Sequence, residues 1–227
     1  MLTGQQFQQI CDYVHQYLNE SAAQSDQPWV KEFPRAGEHR WQHTLNVLRN
    51  AEQILSGEGV RDDRVDVVRA AVLLHDISVF VCDHEIHGRI SAEIAENYLL
   101  EQNYPQDFVR RVARAVAEHG TDLGPLLPEE QGALFSWEGK VVLEADILDK
   151  LGASTITDSL LSLGKKDRLG CECRQELARG RAMERAALFK DYIWTETGRR
   201  MAEQRFAFFQ SFLAQLAEEV FEGSSPL

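Results

Sequence analysis

The stretch Ala70–Phe80, AAVLLHDISVF, sets a histidine and an aspartate side by side in a run that is otherwise almost wholly apolar. Burying an unpaired carboxylate is expensive, so Asp76 must be neutralised or must stand where the core opens onto a site. A bound metal would satisfy both conditions. Read backwards from there, RVDVVRAAVLLHD predicts a helix that starts near Asp62 or Asp63, both natural caps, and is closed by His75 and Asp76. Its second half is apolar all round, which places it in the core.

The rest of the chain follows the same helical period, with no convincing pair of alternating strands. Phe7, Ile10, Cys11, Val14 and Leu18 form one stripe, and Thr3 with Gln6 has capping-box spacing. ESAAQSDQPWVKEFPRAGEH, interrupted by Pro28 and Pro34, reads as a loop leading to a helix from about Glu38 to Leu55. Beyond the polar stretch with Asp83, His84 and His87, ISAEIAENYLLEQ is helical. YPQDFVRRVARAVAEHG is a further helix between Pro105 and Gly120, with Val109, Val112, Val116 and His119 on one face. TDLGPLLPEEQGALFSWEG reads as loop, and one long helix is expected from Lys140 to about Leu163. The charged segment up to Lys190 has no clear pattern. A last helix spans about Glu196 to Val220, with Met201, Phe208, Phe212, Leu216 and Val220 as its expected inward stripe. The expectation is one all-α, single-domain helical bundle over residues 1–227, with a core at about 38–163 and the C-terminal helix at about 196–220 packed on it.

Composition limits the function. A net charge of -12 argues against broad nucleic-acid binding, because a phosphate backbone is gripped by an excess of Lys and Arg. No stretch approaches a membrane span, and the amino terminus lacks the basic and apolar regions of an export signal. Cys11, Cys82, Cys171 and Cys173 are too few and too irregular for a disulfide framework. A cytoplasmic protein without membrane partners is therefore expected.

Three predicted helices each bring a metal-capable side chain into an apolar setting: His43 in HRWQHTLNVL, His75 with Asp76, and Asp146 in VVLEADILDKLGA. Such a mixed nitrogen and oxygen set suits a divalent Mn, Fe, Co, Ni, Mg or Zn ion and leaves positions for water and substrate. Adjacent His75 and Asp76 point about 100° apart on a helix, so both reach one ion only at the helix end. An aspartate in that position could also bridge two ions.

The order H, HD, D over about a hundred residues resembles the HD-domain metal-dependent phosphohydrolases. HRWQHTLNVLRNAEQI, VVRAAVLLHDI, VAEHG, EGKVVLEADILDKLGA and TETGRRMAEQRFAFFQSFL are similar to successive landmarks of an uncharacterised bacterial branch of that superfamily, from Glu38 to Leu213. The resemblance implies an HD-type fold, with His43, His75, Asp76 and Asp146 as ligands and His75 and Asp76 at the catalytic centre. It implies hydrolysis of a phosphoester or phosphoanhydride, in a small phosphorylated substrate such as a nucleotide, by metal-activated water. Arg40, Lys150 and Arg35 flank the ligands in sequence and are candidates to hold phosphate charge.

Other polar residues admit plainer readings. Asp149, one turn after Asp146, could orient a ligand or face solvent. His119 could contact metal or substrate or merely its own helix C-terminus; His87 and His84 stand in the same position, and His39 reads as a surface or near-site residue. Cys171 and Cys173 lack a matching pair for zinc, and GKKDR with the arginines from Arg174 to Arg185 reads as a solvated face. Nucleotide-cleaving relatives often carry a glutamate three residues after the HD aspartate, where this chain has Val79; Asp83 or Glu85 are candidate substitutes. If His87 and His119 join the set, the order H, HD, H, H, D resembles HD-domain di-iron oxygenases and binuclear phosphodiesterases. A nucleotide-binding sensor with little turnover is a third reading.

Overall fold

Helix α4 (Arg64–Leu74) is the element around which the others pack in the computed structural model, which describes residues 2–33, 35–120, 128–164, 187 and 191–219. Its neighbours are α1 (Gly4–Gln24), α3 (Ala36–Gly57), α5 (His87–Glu101), α6 (Gln106–His119) and α8 (Trp137–Asp149). Being covered on every side explains why Ala70 to Leu74 carries no polar residue. The helix stops at His75, where the side chains turn polar and the chain leaves in tight turns.

Sequence and structure agree where capping is explicit. Thr3 accepts from the Gln6 backbone at 3.2 Å while Gln6 Oε1 accepts from the Thr3 backbone at 3.0 Å, closing the predicted capping box of α1. Val109, Val112, Val116 and His119 are buried on one face of α6, as their spacing predicts. Among the described residues there is no β-strand, and the elements share one hydrophobic core. No helix of these residues is long and apolar enough to cross a membrane.

Several boundaries differ from expectation for local reasons. α1 runs on to Gln24 through Ser21, whose hydroxyl returns to the Tyr17 carbonyl at 2.6 Å, so the expected loop begins later. Pro28 then opens a one-turn helix, α2 (Pro28–Lys31), from its first position. Likewise α7 (Pro128–Leu134) begins at a proline inside the segment expected to be loop. The long helix expected from Lys140 is two: α8, capped by Ser136 through Gly139 N at 3.0 Å, and α9 (Ala153–Gly164). They part at Gly152, whose φ of +77° ends a helix and is open to glycine at little cost. Residues 165–186, 188–190 and 220–227, which include Cys171, Cys173, the basic run and Val220, lie outside the described residues.

The last helix, α10 (Glu196–Glu219), packs on α3, α8 and α9 with a face one residue away from the expected stripe. Ala202, Phe209 and Leu213 are buried, whereas Phe208 is 52% exposed and Met201, Phe212 and Leu216 are half-buried. The anchor of α10 explains the rotation. Glu144, wholly buried on α8, accepts from the backbone of Trp194 at 2.6 Å and Thr195 at 2.9 Å and from the Thr195 hydroxyl at 2.5 Å. Thr195 Oγ1 in turn accepts from Gly198 N at 3.0 Å, so one buried carboxylate fixes the start of the helix and thereby its phase.

Burial pushes the Glu144 carboxyl above its usual range, and the hydrogen bonds from Thr195 and Trp194 oppose it. Glu144→Ala would leave those donors buried and unpaired, and is expected to cost about 3 kcal/mol, read as a lower denaturant midpoint with unchanged slope. A loss below about 0.5 kcal/mol, the size of an ordinary surface change, would refute the anchoring role.

Candidate metal centre

Six side chains from five elements converge where α4 ends. His43 comes from α3, His75 and Asp76 from the end of α4, His87 from the first position of α5, His119 from the last of α6 and Asp146 from the buried α8. Registration between α3 and α8 is held by Asn50, which donates to the Ala145 carbonyl at 3.0 Å. His75, Asp76, His87, His119 and Asp146 are buried, and His43 nearly so.

Asp76 stands between two groups of imidazoles. Its Oδ2 lies 3.6 Å from His43 Nε2 and 3.5 Å from His75 Nε2; its Oδ1 lies 3.4 Å from both His87 Nε2 and His119 Nε2. Asp146 Oδ1 is 3.3 Å from His43 Nε2 yet receives no hydrogen bond, the one buried side-chain oxygen or nitrogen among the described residues in that state. His43, His75 and Asp146 can together hold a cation, as can His75, Asp76 and His119, because in each set the donor atoms lie within 4.8 Å of one another.

The outward nitrogens decide what the inward ones offer. Nδ1 faces the Val72 carbonyl at 2.7 Å in His75, the His84 carbonyl at 2.5 Å in His87 and the Val116 carbonyl at 2.6 Å in His119. A carbonyl only accepts, so each Nδ1 carries a proton and each neutral ring turns a lone pair inward at Nε2. In His43 the partner of Nδ1 is Asp149 Oδ2 at 2.7 Å. Inward Nε2 atoms then stand 3.4 Å apart in His43 and His75 and 3.2 Å apart in His87 and His119, beside two carboxylates. Ring nitrogens gathered at that spacing fit a cation between them once His43 gives up its proton, and outer acceptors of this kind are what orient metal-binding imidazoles.

The electrostatics agree. Burial depresses His75 to about 3 and lowers His87, keeping both neutral. Burial would also lower His43, but Asp146 and Asp149 outweigh it and raise the ring to about 9. For Asp76, burial is overcome by His75 and Arg40, and for Asp146 by Lys150 and His43, so both carboxyls lie well below the usual range. Arg40 reaches Asp76 Oδ2 at 2.7 Å and Lys150 reaches Asp146 Oδ2 at 2.6 Å, each from a more exposed position than the acid it meets.

Of the residues singled out in the sequence, His43, His75, Asp76, Asp146, Arg40, Lys150, Asp149, His87 and His119 come together here. Others do not. Arg35 is exposed, with φ +64° at the start of α3, and His39 faces Asp158 at 3.9 Å. His84 is exposed and contributes its carbonyl, with its ring stacked on that of His87. Asp83 and Glu85 are exposed, and neither forms a hydrogen bond or ion pair with the cluster among the described residues.

What the sequence reading missed is how His87 and His119 are brought together. Each precedes a glycine, and those glycines touch: a β-carbon on Gly88 would lie 2.6 Å from Gly120 Cα, and one on Gly120 would lie 2.5 Å from Gly88 Cα. No other side chain fits without parting the start of α5 from the end of α6. The signal was the repeated His-Gly dipeptide.

A helical bundle that gathers a histidine, a His-Asp pair and a distal aspartate at one buried point is the arrangement that the resemblance to the HD-domain phosphohydrolases implies. The HD domain family model matches residues 40–151, so the chain carries an HD domain over that stretch. It is 27% identical over 203 residues to the uncharacterized protein YpgQ of Bacillus subtilis (strain 168), covering 87% of this chain and 93% of that one. The fold is similar to that of a predicted HD superfamily hydrolase from an uncultured Thermotogales bacterium, with TM-score 0.56, 24% identity and coverage of 92% and 91%. It is similar too to Bacillus subtilis YpgQ in complex with ADP, with TM-score 0.63, 20% identity and coverage of 96% and 99%.

Two outcomes follow from this geometry. A cation entering beside His43 has to displace its proton, so loading Mn into chelator-stripped protein near pH 7 should release about one proton per chain. Affinity should rise with pH until about 9, and calorimetry in buffers of different ionisation enthalpy measures both; a pH-independent affinity would contradict the assignment. Separately, Gly120→Ala should weaken metal binding at least about tenfold, the usual lower bound for disturbing a ligand's support, while Ala117→Gly nearby should not.

Proposed function

We propose that this protein is a metal-dependent phosphohydrolase that cleaves a phosphoester or phosphoanhydride bond of a nucleotide. The observation that carries the reading is the convergence of protonated-outside, lone-pair-inside imidazoles on Asp76 and on the unpaired Asp146 Oδ1. His43, His75, Asp76 and Asp146 are the proposed ligands, with His87 and His119 on the second oxygen of Asp76. A divalent cation held there supplies an acidified water and a Lewis acid for a phosphoryl oxygen. The protein's part is positional and electrostatic. Asp149 fixes the ring of His43 and its tautomer. Arg40 and Lys150, partly exposed beside the carboxylates, are placed to take up phosphate charge that the buried acids would repel. The complex of Bacillus subtilis YpgQ with ADP supports a nucleotide as the substrate class.

The division of Asp76 between two imidazole pairs favours a second reading, a two-cation centre. Such a centre serves a phosphodiesterase or, loaded with iron, an oxygenase. One experiment separates these readings. Stripped protein is reloaded with Mn, Mg, Co or Fe, bound metal is counted, and phosphate and pyrophosphate release is followed over a nucleotide panel beside Asp76→Ala. Metal-dependent release, lost in Asp76→Ala together with metal, is expected. No release from fully loaded protein, with oxygen consumed in the ferrous form, would replace hydrolase by oxygenase; tight nucleotide binding without turnover would indicate a sensor. Lys150→Ala, if Lys150 holds phosphate, should raise KM about tenfold or more with metal content unchanged.

A further inference from the structure

Beside Asp149 lies a cavity of about 460 Å³ between α3, the α8–α9 break and α10. It is separate from the metal centre, sharing with it only the Asp149 carboxylate in one wall. Its chemistry is unlike that of a core void. Arg49 and Arg205 both line it, and so do the primary amides of Asn46, Gln53 and Gln204. Phe208, the exposed aromatic left out of the core by the phase of α10, stands at its edge.

Arg205 is held rigidly. It donates to the Leu148 carbonyl and, at 2.7 Å, to Asn50 Oδ1, and Gly152 lets its stem pack closely, since a β-carbon there would lie 3.0 Å from Arg205 Cβ. Arg49 is exposed and forms no hydrogen bond or ion pair among the described residues. The counter-charge available in the wall is Asp149, already engaged by His43. Burial lowers the Arg205 pKa; the Asp149 carboxylate opposes that shift and the nearby Arg49 adds to it.

We propose that this cavity is a second binding site, for a small ligand carrying a flat hydrogen-bonding ring and a phosphate, the chemistry of a nucleoside monophosphate. The guanidiniums of Arg49 and Arg205 match the anion, the amides match ring nitrogens and hydroxyls, and the face of Phe208 matches the ring. The volume lies within the range of small-molecule sites. The site does not depend on the metal centre or on its proposed activity.

The test is calorimetric titration of the full chain, kept metal-free with chelator, with AMP, adenosine and inorganic phosphate. AMP should bind at least about tenfold more tightly than either fragment. Arg49→Glu should weaken AMP about ten- to a hundredfold and leave adenosine unchanged, Arg49→Lys should fall between, and Phe208→Ala should weaken AMP and adenosine alike. Both positions are exposed, and circular dichroism of each variant checks folding. Asp146→Asn, which acts at the metal centre, should leave AMP binding intact. Absence of AMP binding at about 1 mM, indifference to Arg49→Glu in a folded variant, or loss of binding in Asp146→Asn would each overturn the proposal.

Discussion

Two carboxylates inside an apolar bundle are the constraint on which the rest of this structure depends. Asp76 and Asp146 lie in the floor of the site, buried, and neither can stay ionised there without positive charge close by. The protein brings Arg40 and Lys150 to one oxygen of each from the side nearer solvent, and imidazoles to the other oxygen of each from within, His87 and His119 for Asp76 and His43 for Asp146. Burial drives the rings of His75 and His87 neutral, whereas Asp146 and Asp149 keep a positive charge on His43. A site built so has one interior charge that a cation can exchange for, and it is the charge on a ring already aimed by Asp149.

This demand shapes the surrounding elements. The second half of α4 is apolar on all sides because five helices pack on the element, and it ends at His75 because the next side chain must face the cluster. The start of α5 and the end of α6 are directed to the same oxygen of Asp76, each presenting a histidine at its terminus with Nδ1 tied to a carbonyl three residues back. Helix ends are thus used as mounts: a main-chain carbonyl three residues back fixes the ring at each terminus.

Much of this could be read in the sequence because burial leaves a strong signature. An HD pair in an apolar helix, a second histidine on an amphipathic helix and an aspartate in VVLEADILD have no comfortable place except around a cation. The capping box at Thr3 and the valine stripe of α6 were legible for the same reason, that each is a local pattern. What failed was what depends on distant partners. The phase of α10 is set by Glu144, fifty positions earlier in the chain, and FAFF offers an aromatic at either phase. The break at Gly152 was hidden because apolar periodicity continues across it, and only the backbone angle marks it. His87 and His119 were visible as candidates, but nothing local indicates that both meet Asp76.

The contact between Gly88 and Gly120 bears on how this centre can drift over evolutionary time. In an ordinary core, a side chain enlarged on one element is accommodated by a smaller one opposite, and paired changes keep packing constant. Here both positions are already at the smallest residue, each against the other's backbone, so no reciprocal exchange exists. A lineage can escape only by moving a whole helix, which would carry His87 or His119 out of reach of Asp76. The two His-Gly dipeptides, thirty-two residues apart, should therefore be inherited or lost as a unit.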